Sequence, residues 1–129
     1  MTNNAQEHLN QIVKKERITY LDISNRDLVG DMNLVEFANL KSINSSNNKF
    51  TNLDFLLTLP NKNKLESINF FGNEIERVDF PLLFANFPNL KTINLDNNPL
   101  SLKNFEQLSV EQMASLVEAV AKKKIKISS

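Results

Sequence analysis

The sequence predicts an α/β fold in which short parallel strands stack side by side and helical or 3₁₀ turns return the chain behind them. Three observations predict it. One apolar pattern recurs four times at nearly constant spacing. Inside each copy, apolar and polar places alternate, as in a strand with one buried face. Between copies the apolar residues fall at helical spacing.

The four copies are ITYLDISNRDL from Ile18, LKSINSSNNKF from Leu40, LESINFFGNEI from Leu65 and LKTINLDNNPL from Leu90. Their starts lie 22, 25 and 25 residues apart. Apolar residues occupy the first, fourth, sixth and eleventh places. The ninth is Asn in three copies, at Asn48, Asn73 and Asn98. No strand of this length can bury its apolar side alone, so the copies must stack to share one core.

The pattern L-x-x-L-x-L-x-x-N-x-L resembles the leucine-rich-repeat family over residues 18–100. The resemblance implies a right-handed leucine-rich-repeat solenoid with a short parallel β-sheet on its concave face, helical or 3₁₀ turns on the convex side and α-helical caps at both ends. In that reading residues 1–129 are one domain: an N-terminal cap helix over 1–17, four repeats over 18–100 and a C-terminal cap over 101–129. A short amide side chain at the ninth place can bond backbone groups that would otherwise be buried unpaired, which makes these Asn residues structural.

The connections follow from local spacing. Residues 53–59, LDFLLTL, predict a short helix or 3₁₀ turn, and residues 78–87, VDFPLLFANF, a similar one with Pro81 in its first turn. The polar link NKNK at 61–64 lengthens its repeat. Two copies depart from the pattern: Arg26 stands where Asn is expected, and Ser45 takes a core place, where it needs a hydrogen-bond partner.

A stack of repeats exposes apolar edges unless its ends are covered. Residues 4–16 predict an amphipathic helix with Ala5, Leu9, Ile12 and Val13 on one side. Ser109 and Gln112 form a capping-box pattern before Val110, Met113, Leu116, Val117 and Val120, and Lys122–Lys124 suit the negative end of that helix. Ile125 and Ile127 in the closing KIKISS alternate like the start of another strand, as in a chain cut from a longer protein.

Composition excludes several functions. Fifteen basic and 15 acidic side chains cancel, whereas a nucleic-acid-binding domain usually carries a basic excess. There is no Cys for a disulfide, a thiolate metal site or a nucleophile. One His, His8, and two Gly, Gly30 and Gly72, supply neither a catalytic pair nor a phosphate-binding loop. No export signal and no apolar run of membrane-spanning length are present, so an intracellular, cytoplasmic protein is expected. No cofactor, metal or catalytic residue is expected. A monomer satisfies the pattern, although a sheet edge could pair with a second copy.

Function is therefore expected to be binding of another protein or peptide through the concave face. The second place reads Thr19, Lys41, Glu66 and Lys91. The third reads Tyr20, Ser42, Ser67 and Thr92, the fifth Asp22, Asn44, Asn69 and Asn94, and the seventh Ser24, Ser46, Phe71 and Asp96. Among these the binding residues expected are Tyr20, Asp22, Ser42, Asn44, Ser67, Asn69, Phe71, Thr92, Asn94 and Asp96. Phe71, expected to be exposed because Phe70 fills the core place, and Tyr20 are the large anchors. Asn44, Asn69 and Asn94 could grip a partner's backbone, or simply be tolerated at an open strand position. Two alternatives stand beside this: a recognition or assembly segment of a larger signalling protein or enzyme, and a ribonucleoprotein-associated repeat protein.

Overall fold

The computed structural model describes residues 3–101, 103–106, 108–122 and 125–126. Five short strands form one parallel sheet in chain order: β1 (Tyr20–Asp22), β2 (Ser42–Asn44), β3 (Ser67–Asn69), β4 (Thr92–Asn94) and β5 (Ile125–Lys126). The sequence pattern predicts the first four. The fifth falls in the closing stretch where Ile125 begins the alternation, and Ile125 lies in register with Ile93 and is buried. Lys123, Lys124, Ile127 and the side chain of Val120, singled out in the sequence, lie outside the described residues.

The four repeats are in exact phase across the sheet, so equivalent places become neighbours: Leu21, Ile43 and Ile68 pair successively, and Ile68 pairs with Ile93. These fourth-place residues are all buried, as are the sixth-place Ile23, Ser45, Phe70 and Leu95. Ser45 obtains the partner its burial requires, because its Oγ accepts from Asn48 Nδ2 at 3.1 Å.

The return segments are short. Residues Asp54–Thr58 and Lys62–Lys64 are 3₁₀ turns, so even the polar link has regular structure. The Thr58 hydroxyl donates to Phe55 O at 2.6 Å and accepts Leu34 N–H at 2.7 Å, tying neighbouring returns together. Helix α2 (Phe80–Asn86) begins where Asp79 accepts Leu82 N–H at 3.0 Å, and Pro81 sits in its first turn, where no N–H is missed. Behind the sheet, Phe50, Phe55 and Phe70 form a ring cluster with centroids 5.1, 5.6 and 6.3 Å apart. Phe37, Phe80 and Phe87 extend the buried apolar layer along the sheet.

The N-terminal helix is shorter than its amphipathic pattern. Helix α1 covers Ala5–Asn10, with Asn4 accepting Glu7 N–H at 3.0 Å. Ala5 and Leu9 are buried, Ile12 is half-buried, but Val13 is 77 % exposed. The helix has ended by then, and Lys14 takes a left-handed conformation (φ 55°) before the 3₁₀ turn Lys15–Arg17, so helical periodicity no longer directs Val13 inward. Near the other end are α3 (Lys103–Glu106) and α4 (Val110–Ala121). The capping box forms: Gln112 N–H donates to Ser109 Oγ at 3.1 Å, and Ser109 N–H donates to Gln112 Oε1 at 2.9 Å. Of the predicted apolar stripe Leu116 is buried and Met113 half-buried, while Val110 and Val117 face solvent. Lys122 pairs with Glu118 one turn back at 2.7 Å.

The eighth place of every repeat turns the chain through left-handed backbone: φ is 58° at Asn25, 57° at Asn47, 70° at Gly72 and 61° at Asn97. Asn and Gly are the residues that tolerate it best. At Gly72 space is also short, since a Cβ would lie 2.5 Å from Asn47 Oδ1. The Asn47 side chain is itself held, donating to Asn25 Oδ1 at 2.8 Å. Gly72→Ala is therefore expected to destabilise by about 1–2 kcal/mol, from backbone strain and a displaced side chain. Asn97→Gly is expected to stay within about 0.5 kcal/mol of wild type. Urea titration of the two variants checks this, and an Ala at 72 as harmless as the Gly at 97 would remove the steric argument.

Candidate functional site

Along each strand one place in two is buried, so the third- and fifth-place side chains share the opposite, open face. The structure brings Tyr20, Ser42, Ser67 and Thr92 into one row and Asp22, Asn44, Asn69 and Asn94 into a second. Lys126 stands in register with Asn94 and continues the second row onto β5. Tyr20 is 54 % exposed and is the one aromatic side chain in these two rows. Phe71 differs from its expectation: it is half-buried, lying beyond the end of β3 in the turn rather than standing free on the face. Asp96, in the equivalent turn after β4, is also half-buried and already has an interaction partner.

The fifth place has a second, structural use. Asn44 Oδ1 accepts Ser46 N–H at 3.1 Å, Asn69 Oδ1 accepts Phe71 N–H at 3.0 Å and Asn94 Oδ1 accepts Asp96 N–H at 3.0 Å. Asp22 does the same in the first repeat, taking Ser24 N–H at 3.0 Å and Ser24 Oγ–H at 2.6 Å. Those bonds hold the Asp22 carboxyl below the usual carboxylate range. Each side chain thus closes a local turn two residues on, which is why Asn and Asp, not Gln or Glu, fill the column.

The ninth-place Asn residues are buried and lie outside the candidate site. Asn48 Nδ2 donates to Ile23 O at 2.9 Å and Ser45 O at 3.1 Å, while its Oδ1 accepts Leu28 N–H at 3.0 Å and Arg26 N–H at 3.2 Å. Asn73 bridges Ser45 O, Phe70 O and Phe50 N–H at 2.9–3.1 Å, and Asn98 bridges Phe70 O, Leu95 O and Ile75 N–H at 2.9–3.1 Å. Arg26, which replaces the first of this series, is exposed, and the next Asn serves its turn instead.

At the strand-entry edge lies a feature the column-by-column reading missed. Arg17, Thr19, Asn39, Lys41, Asn63, Lys64 and Glu66 line a cleft of about 510 Å³. Lys64 Nζ donates to Asn39 Oδ1 at 2.6 Å, and Glu66 pairs with Lys91 at 3.5 Å, which leaves the cleft rich in positive charge. Its scaffold is a further set of amides: Asn39 donates to Glu16 O, Asn61 to Ala38 O and Asn89 to Asn63 O at 2.6–2.7 Å. The signal was present in the sequence as Asn at the position before the first apolar place, at 39 and 89. An apolar cleft of about 600 Å³ lies between α2 and α4, lined by Phe80, Phe84, Leu90, Ile93, Leu108 and Leu116 among others.

His8 is half-buried in α1, where burial first and the charge of Arg26 second push its imidazole below the usual value. Among the described residues no group of three or more His, Cys, Asp or Glu side chains could hold a metal ion, and no helix is long and apolar enough to cross a membrane. No model of a known family matches the chain, and no curated protein does.

Proposed function

We propose that the chain is a short, right-handed leucine-rich-repeat solenoid with helical ends, and that it binds another protein through the open, concave face of its sheet rather than catalysing a reaction. The observation that carries this reading is the register of the repeats. Four equivalent turns stack in phase, and their third- and fifth-place side chains are pooled into a single polar surface with Tyr20 at one end. The in-phase buried amides and the 3₁₀ returns support the solenoid on physical grounds, because each repeat completes the hydrogen bonding of its neighbour.

Exposed aromatic side chains set among small polar ones are a common composition for a binding surface. Tyr20 is exposed on the open face and is not part of the core, and Ser67, half-buried on the same face, is a place where a larger side chain would obstruct a partner. Proteins retained from a cell extract by the wild-type chain should be lost by a Tyr20→Ala/Ser67→Arg variant whose circular dichroism is unchanged. With a purified captured protein, the variant's Kd is expected to rise by about tenfold or more. Equal affinity for both forms would move the binding site off this face.

A further inference from the structure

The turns that close each strand decide which end of each amide the open face shows. Asn44, Asn69 and Asn94 each commit Oδ1 to a backbone N–H two residues on. An amide is planar, with its oxygen and nitrogen on opposite sides, so the group left to face outward is the Nδ2 donor. Asn44 Nδ2 reaches Tyr20 Oη at 3.5 Å, the limit of a hydrogen bond. Lys126 extends the donor row on β5, and Lys41, Lys64 and Arg17 stand at the entry edge. The third-place row adds the hydroxyls of Ser42, Ser67 and Thr92, the last donating to Ser67 Oγ at 2.7 Å. Acceptors are few over β2–β5: the Glu66 carboxylate is paired with Lys91, Asp96 has a partner, and Asp22 stands on β1 at the far end of the row.

We infer that the occupant of this face is an acidic peptide in extended conformation, laid over β2–β5 with its carboxylates and free backbone carbonyls on the amide row. This rests on the reading of the face as a protein-binding surface. Charge and hydrogen-bonding polarity select the class: a row of donors beside cations wants acceptors and negative charge. Conformation follows from the same requirement. A helix has already used its backbone carbonyls internally, whereas an extended segment carries them free along both sides. The distance from β2 to β5 is about 14 Å, three strand spacings, which about four to five extended residues cover.

The test exploits the first repeat, where Asp22 closes the same turn with a carboxylate. Asn69→Asp/Asn94→Asp keeps both turn-closing oxygens and removes both donors. Fluorescence anisotropy of the full chain at low ionic strength, with fluorescein-labelled hexaglutamate, hexalysine and hexauridylate, reads the result. Wild type should bind hexaglutamate in preference to the other two, and the double variant, folded by circular dichroism, should bind it about tenfold more weakly or worse. Hexaglutamate bound equally by both forms, or by neither, overturns the inference. Hexauridylate bound by wild type as well as hexaglutamate also overturns it, in favour of a nucleic-acid backbone. Hexalysine bound preferentially, and more tightly by the double variant, overturns the polarity while leaving this face as the binding surface.

Discussion

The Asn48→Ala variant is expected to lose about 4 kcal/mol of stability, a large share of the roughly 5–15 kcal/mol of a typical domain. Asn48 is buried and serves Ile23 O, Ser45 O, Ser45 Oγ, Leu28 N–H and Arg26 N–H. Deleting the amide strands Ile23 O, Leu28 N–H and the Ser45 hydroxyl in a region sealed from water, and each orphaned group costs about 1–3 kcal/mol. Asn73→Ala is expected to cost less, about 2 kcal/mol, because its acceptors are shared. Ser45 O keeps Asn48 and Phe70 O keeps Asn98, so Phe50 N–H is the group left without its amide partner. Urea midpoints for the two variants test the ordering. An Asn73 variant as damaged as the Asn48 one would mean that the shared carbonyls do not compensate.

Phe70→Ala is expected to destabilise by a similar amount, about 4 kcal/mol, with Phe70→Leu costing about 1.5 kcal/mol. Phe70 is fully buried, and its ring lies 5.6 Å from Phe55 and 6.3 Å from Phe50, joining two successive repeats. The cavity left by Ala cannot collapse easily, since the sheet fixes one wall and the 3₁₀ turn carrying Phe55 fixes the other. Phe84, 37 % exposed on α2, is the control: its ring meets Phe80 at 6.1 Å, but one side is open, and Phe84→Ala should cost about 1 kcal/mol. Thermal melts of the three variants decide it. Equal losses at positions 70 and 84 would show that the ring cluster contributes no more than ordinary surface burial.

Much of the fold could be read in advance because stacking makes one pattern answer for every turn. The fourth-place residues and the ninth-place amides follow directly from an alternation and a recurring Asn, and Ser45 found the bond that its burial demanded. What escaped was set by backbone conformation rather than hydropathy. The left-handed eighth place was visible as Asn, Asn, Gly, Asn, yet without φ values those residues look like ordinary turn polars. The fifth-place Asn column posed a choice between ligand grip and mere tolerance. The structure introduces a third role, turn closure, which periodicity cannot reveal because its partner is a backbone N–H. Phe71 was placed on the face by counting residues, but the chain has already left the strand there, and the ring is half-buried. Val13, Val110 and Val117 fail for a related reason: apolar spacing marks one side of a helix, and the amount covered depends on what packs against it.

The buried amides also impose a direction. Asn48 reaches back to the turn containing Ile23 and Leu28, Asn73 to the one containing Ser45 and Phe50, and Asn98 to the one containing Phe70 and Ile75. The amide that seals a given turn therefore lies 20–28 residues further along the chain. During synthesis, each loop stays unsealed until the next has emerged from the ribosome, so its sealing trails its own emergence by about one repeat. A stall within that window would leave the newest loop's carbonyls wet, and folding would resume from the amino-terminal side as soon as the next asparagine emerged.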